Sequence, residues 1–187
     1  GKTTLLNILS GIDEPTSGQV MVDEKSLFSV SDNERSRIRA QYLGFIFQDF
    51  NLLPVLSAVE NVELPLLLLG KSATEARTTA LEALKSVGLG ERSEHRPSEH
   101  SGGQQQRVAI ARAIVHSPTV ILCDEPTGNL DSATSKSVMK LLKTINEKIG
   151  TTFLLVTHDG EVAKQCSRVL RMEDGIIVSD ERGQEEE

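Results

Sequence analysis

Three short stretches of this sequence combine residue types that could handle phosphate. Gly1-Lys2-Thr3-Thr4 opens an apolar helical run. Such a run resembles the closing part of a phosphate-binding loop, where backbone N–H groups and a helix N-terminus cradle phosphates. Lys2 would then contact the β and γ phosphates, and Thr3 would ligate Mg²⁺. The same residues also make an ordinary helix cap. A second stretch, Val120-Ile121-Leu122-Cys123, runs into Asp124-Glu125. An apolar strand ending in acids delivers a carboxylate to the carboxyl edge of a parallel sheet, where ligands bind in open α/β folds. There Asp124 could hold Mg²⁺ through water and Glu125 could take a proton from an attacking water, or the pair could form a plain turn. The third stretch is Ser101-Gly102-Gly103-Gln104, followed by Gln105-Gln106-Arg107-Val108-Ala109-Ile110-Ala111-Arg112-Ala113. Paired glycines allow close backbone approach, and a serine hydroxyl beside free N–H groups at a helix start suits an anion. Ser-Gly-Gly alone is a flexible turn; the long motif behind it makes the stretch specific.

The elements that must position these residues are legible in the apolar spacing. Lys2 to Ser10 reads as a helix with Leu5, Leu6, Ile8 and Leu9 on its apolar side, stopped by Gly11. Gln19 to Val22 is a short strand, Ser31 to Ala40 a polar helix and Gly44 to Phe47 an apolar strand. Ser57 with Glu60 and Ser72 with Glu75 are capping boxes that mark a helical middle section. Gly90 to Glu99 is a charged loop, and a helix runs on from Ser101. Ser135 to Ile149 is amphipathic, Thr152 to Val156 is a strand, Val162 to Arg168 a short helix, and Asp174-Gly175 a hairpin turn. Strands alternating with helices imply a largely parallel α/β sheet, interrupted by a helical insertion from about Asn51 to Arg107.

Composition narrows the class. Hydrophobic residues make up 38% and charged residues 25% of the 187, which suits a globular α/β chain and not a disordered one. The net charge of -7 argues against a basic nucleic-acid binder. Most of that charge lies between Glu173 and Glu187, an acidic tail that reads as solvated surface or a frayed end. Cys123 and Cys166 fit neither a zinc pattern nor a disulfide framework, so a reducing cytoplasm is the natural compartment. The apolar run Leu64 to Leu69 is far too short to cross a bilayer.

Taken together, these motifs are similar to those of the nucleotide-binding subunit of ABC transporters. Gly1 to Thr4 matches the end of that family's phosphate loop, Gln48 its glutamine loop and Ser101 to Gln104 its signature. Asp124-Glu125 matches the acidic strand end, Gly128 to Asp131 the Asp loop and His158 the switch histidine. The resemblance implies a P-loop NTPase fold with a RecA-like core of mostly parallel sheet over residues 1–50 and 108–187. Residues 51–107 would form an α-helical subdomain carrying the signature. It further implies ATP and Mg²⁺ as ligands, and two subunits paired head to tail. In that pair Ser101, Gly102, Gly103 and Gln104 of one copy would meet the γ-phosphate held by Gly1, Lys2, Thr3 and Thr4 of the other, with Asp131 at the same nucleotide.

The residue roles implied are Glu125 as base, Gln48 touching Mg²⁺ and the attacking water, and His158 bonding the γ-phosphate while holding Glu125. Thr3, Gln48 and Asp124 form the metal set. A transmembrane permease would be the partner, at the inner face of a bacterial membrane, with no nucleic acid involved. Phe45 to Pro54, Glu60 to Pro65 and Asp124 to Asp131 resemble the lipoprotein-releasing and macrolide-exporter group, close to a cell-division ATPase. A soluble ABC ATPase of DNA repair or translation is a further alternative. His100 departs from the Leu that usually begins the signature, and is expected to weaken packing and slow hydrolysis without abolishing it. Family members also carry two strands, an adenine-stacking aromatic and further loop glycines before the residue matching Gly1. The chain alone is therefore expected to bind ATP poorly.

Overall fold

The computed structural model describes residues 1–182. Helix α1 (Lys2–Leu9) leads to a small antiparallel hairpin of β1 (Met21–Val22) and β2 (Lys25–Ser26), then α2 (Asp32–Tyr42) and β3 (Leu43–Phe47). Three helices follow, α3 (Ala58–Leu68), α4 (Ala73–Ser86) and α5 (Gly102–Ile114), before β4 (Val120–Asp124). Helix α6 (Ser132–Ile149), β5 (Thr152–Val156), the single turn α7 (Gly160–Ala163) and the hairpin β6 (Arg168–Glu173) and β7 (Ile176–Arg182) complete the order.

Strands β3, β4 and β5 form one parallel sheet in that order, as the strand and helix alternation requires. Both faces are covered. Ile46, Ile121 and Cys123 point into a core built with α3, α4, α5 and α6, whereas Leu43, Leu122 and Val156 point to the opposite side, into a core with Leu6, Leu27 and Ile38. Alternate residues of one strand thus serve two cores, which is why the strands read as unbroken apolar runs. The helical insertion has a layer of its own, α3 against α4 with α5 beneath both, and α5 also packs on β3. Helix α5 therefore crosses residues 107 and 108 without a break and belongs to both parts of the molecule.

Local capping explains most boundaries. Ser57 accepts from the Glu60 N–H while Glu60 accepts from the Ser57 N–H, and Ser72 with Glu75 does the same. Where the chain departs from expectation, either a local turn or a partner farther along the chain has intervened. The strand at Gln19 to Val22 is reduced to Met21–Val22, the two residues that pair with β2; Asp23 and Glu24, at positive φ of 49° and 61°, turn the chain back in a tight hairpin. The helix expected from Val162 to Arg168 ends at Ala163. Arg168 instead makes a two-pronged contact with Asp180 across the hairpin, at 2.8 Å for each nitrogen. With Arg171 beside Glu181, this draws the acidic segment through Arg182 into β7 as a paired, solvated strand, not a frayed end. The rest of the expected acidic tail, residues 183–187, lies outside the described residues. Among the described residues no helix is long and apolar enough to cross a membrane.

Candidate functional site

Glu125 is the first residue past β4, and its backbone is unusual. Its φ is +47°, a left-handed conformation that a non-glycine residue adopts at a cost of about 1–3 kcal/mol. Its N–H still donates to the Val156 carbonyl at 2.9 Å, so the residue is tied to the sheet while its chain turns away. That turn brings the carboxylate to the end of the neighbouring strand. Thr157 Oγ1 donates to Glu125 Oε2 at 3.0 Å, and His158 Nδ1 meets Oε1 at 2.7 Å. The Asp159 N–H in turn donates to Thr157 Oγ1, fixing that hydroxyl. A carboxylate with both oxygens oriented, at an open sheet edge, can accept a proton from a nucleophilic water placed before it. The His158 ring is mostly exposed, and with Nδ1 engaged its Nε2 is the nitrogen left for an external ligand.

A second cluster forms beside the first, because Phe47 and Asp124 are register partners in the sheet. Gln48 therefore leaves the same edge as Glu125. Its side chain lies over Gly128, donating from Nε2 to Asn129 Oδ1 at 3.1 Å. Asn129 Nδ2 donates to the Gln48 carbonyl at 3.1 Å and to Asp49 Oδ1 at 2.7 Å. Burial raises the pKa of Asp124, assisted by the charge of Glu125. A cation would relieve that repulsion. The Thr3 hydroxyl, Gln48 amide and Asp124 carboxylate are all hard oxygen donors, the set that suits Mg²⁺. No side-chain hydrogen bond links Lys2, Thr3 or Thr4 to the rest of the site among the described residues; they stand exposed at the start of α1, and Gly1 lies against Gly175 and Met172 of the final hairpin.

Ser101 is exposed and caps its own helix, accepting from the Gln104 N–H while its N–H donates to Gln104 Oε1 at 3.0 Å. Its hydroxyl proton is left for another acceptor. Gly102 packs against Leu130 and Phe50, and a side chain at Gly103 would strike Thr134. Asp131 caps α6, with the Thr134 hydroxyl and N–H holding its carboxyl below the usual range. Signature and Asp loop thus touch within one chain.

His100 is buried, and neither ring nitrogen has a hydrogen-bond partner; the ring of His95 lies 5.8 Å away. Burial holds its imidazole below its ordinary value of 6.5. As the pH falls below that value the unfolded chain takes the proton first, so the titration of His100 adds a cost there, on top of the cost of burying an unpartnered ring at any pH. His100→Leu should raise stability by about 1–2 kcal/mol near neutral pH and flatten the loss of Tm on acidification. Melting curves of both proteins between about pH 5 and pH 8 decide this, and parallel profiles would contradict it. Half-buried His116, its imidazole also held below the ordinary value by burial, contributes to the slope that remains.

Three supporting residues carried no separate role in the sequence. Half-buried Arg112 holds the Phe50 and Asn51 carbonyls, at two consecutive residues of positive φ just after Gln48. Gln106 is wholly buried and donates to the Pro126 carbonyl beside Glu125. Thr157 orients the carboxylate. Only the motif neighbourhoods hinted at them, since each acts on a loop distant in sequence.

Comparison with known proteins agrees with this geometry. A family model described as ABC transporter matches residues 1–128. Among solved structures, a dimeric post-hydrolysis state of the ATP-binding cassette MJ0796 bound to ADP and Pi superposes with a TM-score of 0.86 at 46% identity, over 97% of this chain and 80% of that one. A second dimeric structure of MJ0796, described as a bacterial ABC transporter cassette, gives the same values, TM-score 0.86, 46% identity and 97% and 80% coverage. The family match reaches through β4 to Gly128, and the structural match extends the likeness over the sheet, helical layer and loops just described: this chain is a member of the ABC transporter family.

Proposed function

We propose that this chain is the ATP-binding and ATP-hydrolysing subunit of an ABC transporter, working as a head-to-tail pair with a partner permease at the inner face of a bacterial membrane. The observation that carries the reading is the Glu125 carboxylate, held by Thr157 and His158 at the open sheet edge. In this reading Lys2 and the first N–H groups of α1 bind the terminal phosphates, and Thr3, Gln48 and Asp124 hold Mg²⁺. When bound, Mg²⁺ neutralises charge on the transferring phosphoryl group. Glu125 takes the proton of the attacking water, and His158 keeps the carboxylate aimed. Ser101 to Gln104 of the second copy supplies donors to the γ-phosphate that one phosphate loop lacks, so hydrolysis waits on pairing. The dimeric, ADP- and Pi-bound state of MJ0796 supports this arrangement.

The helical insertion exposes Leu53 and Val55 ahead of α3 and Leu67 and Leu68 at its end, apolar positions available to a permease. Residues Phe45 to Pro54 and Asp124 to Asp131 favour the exporter and lipoprotein-releasing group, hence extraction or export of a lipid, lipoprotein, peptide or drug-like substrate. The full-length protein should release phosphate from ATP in an Mg²⁺-dependent manner, dimerise on ATP by light scattering and co-purify with a permease. Absence of ATP binding and of dimerisation would overturn the proposal.

A further inference from the structure

An amide side chain donates at one end and accepts at the other, and its neighbours decide which end faces a ligand. At Gln48 they do so through a chain of three groups. The Asp49 carboxylate and the Gln48 main-chain carbonyl both accept only, and Asn129 Nδ2 donates to each, at 2.7 and 3.1 Å. Asn129 must therefore turn its oxygen toward the Gln48 side chain. Of the two ends of the Gln48 amide only NH₂ can donate to that oxygen, and Gln48 Nε2 does so at 3.1 Å. Gln48 Oε1 is the end left over. The neighbouring Gly128 makes room, since a Cβ there would stand 2.9 Å from Nε2.

We propose that Asp49 and Asn129 form a positioning relay, accommodated by Gly128, that fixes the amide of Gln48 with its carbonyl oxygen, and not its NH₂, available to a divalent cation. A hard cation binds oxygen and rejects an N–H, so a rotated amide would remove a ligand and set a donor in its place. Asn129 lies two residues before Asp131, so the relay also makes the state of Gln48 depend on where the Asp loop sits. The identity of the cation rests on the ATPase reading; the relay itself does not.

The side-chain ¹⁵NH₂ signal of Gln48, observed in the full-length protein without nucleotide, separates the two. A hydrogen-bond-shifted and motionally restrained NH₂ signal is expected in the wild type and should revert to that of a freely rotating amide in N129L. The double variant D49N/N129D reverses the polarity of the link to residue 49 and still offers an oxygen to the Gln48 amide, while the Gln48 main-chain carbonyl loses its donor, so the signature should return in part. Should N129L not fold, N129A serves as the broken relay, because it removes both the donor to Asp49 and the acceptor for Gln48. A Gln48 signal indifferent to N129L and N129A overturns the proposal. Mn²⁺ affinity of the ATP-loaded protein should weaken roughly tenfold in N129L and recover to within about twofold in D49N/N129D. Equal Mn²⁺ affinity in all three would also overturn it. An intact amide signature with no hydrolysis, wild type included, would refute the ATPase reading and leave the relay standing.

Discussion

Glu125→Gln is expected to lower phosphate release by roughly 10²–10⁴-fold while leaving the fold and nucleotide-driven pairing intact. The amide has the shape of the carboxylate and can still accept from the Thr157 hydroxyl, so the contact that holds Glu125 Oε2 survives. It can offer its NH₂ to His158 Nδ1 once the ring takes the other tautomer. It cannot accept a proton from water. Because the left-handed backbone at this position is unchanged by the swap, stability should stay within about 0.5 kcal/mol of wild type. Single-turnover phosphate release, beside light scattering with ATP, measures both parts. Turnover above about a tenth of wild type would show that Glu125 is not the base.

Gly44→Ala carries the largest expected loss of stability, about 3 kcal/mol, at the upper end of the usual range for overpacking. A Cβ on Gly44 would collide with the Ala113 carbonyl of α5 and press on Ile121 at 3.1 Å. The first obstacle is main chain, which cannot rotate aside, and it belongs to a helix that is itself buried against α3 and α4. Relief requires α5 to lift from β3. In a domain of this size such a loss should lower Tm by roughly 6–12 °C, measurable by calorimetry. Because Ser101 caps α5, the lift should also weaken ATP-driven pairing more than Glu125→Gln does. A Tm within about 2 °C of wild type would mean that α5 is not seated on β3 as described.

Much of this was legible where the determinant is local. The hydroxyls of Ser57 and Ser72 stand three residues from their glutamates, and the apolar run Val120 to Cys123 is its own evidence for a strand covered on both faces. The six motifs announced the family because their residue types are fixed by the phosphate chemistry they would perform. The rest depended on partners far along the chain. Nothing near Arg168 says that Asp180 will claim it, and nothing near Arg112 says that it will close over two carbonyls on the far side of the helical insertion. The turn at Asp23-Glu24 was hidden for another reason: two acids stand where a glycine or asparagine would ordinarily signal positive φ. The Asn129 amide belongs with Arg112. Its identity was plain, but the relay exists only once Gln48 and Asp49 arrive beside it.

The order in which the sheet can assemble follows from its register. Leu43 pairs with Val120, across the whole helical insertion, whereas α3 and α4 are neighbours in sequence and α5 follows closely. Closing so long a loop early would cost chain entropy before any contact rewarded it. The helical layer should therefore gain structure first, and β3 should wait with an unpaired edge until α5 carries β4 alongside. During that interval the apolar strands are open to pairing with another chain, so refolding yield should fall with concentration faster than native stability would suggest. The helical insertion thus sets the pace at which the sheet beneath it can close.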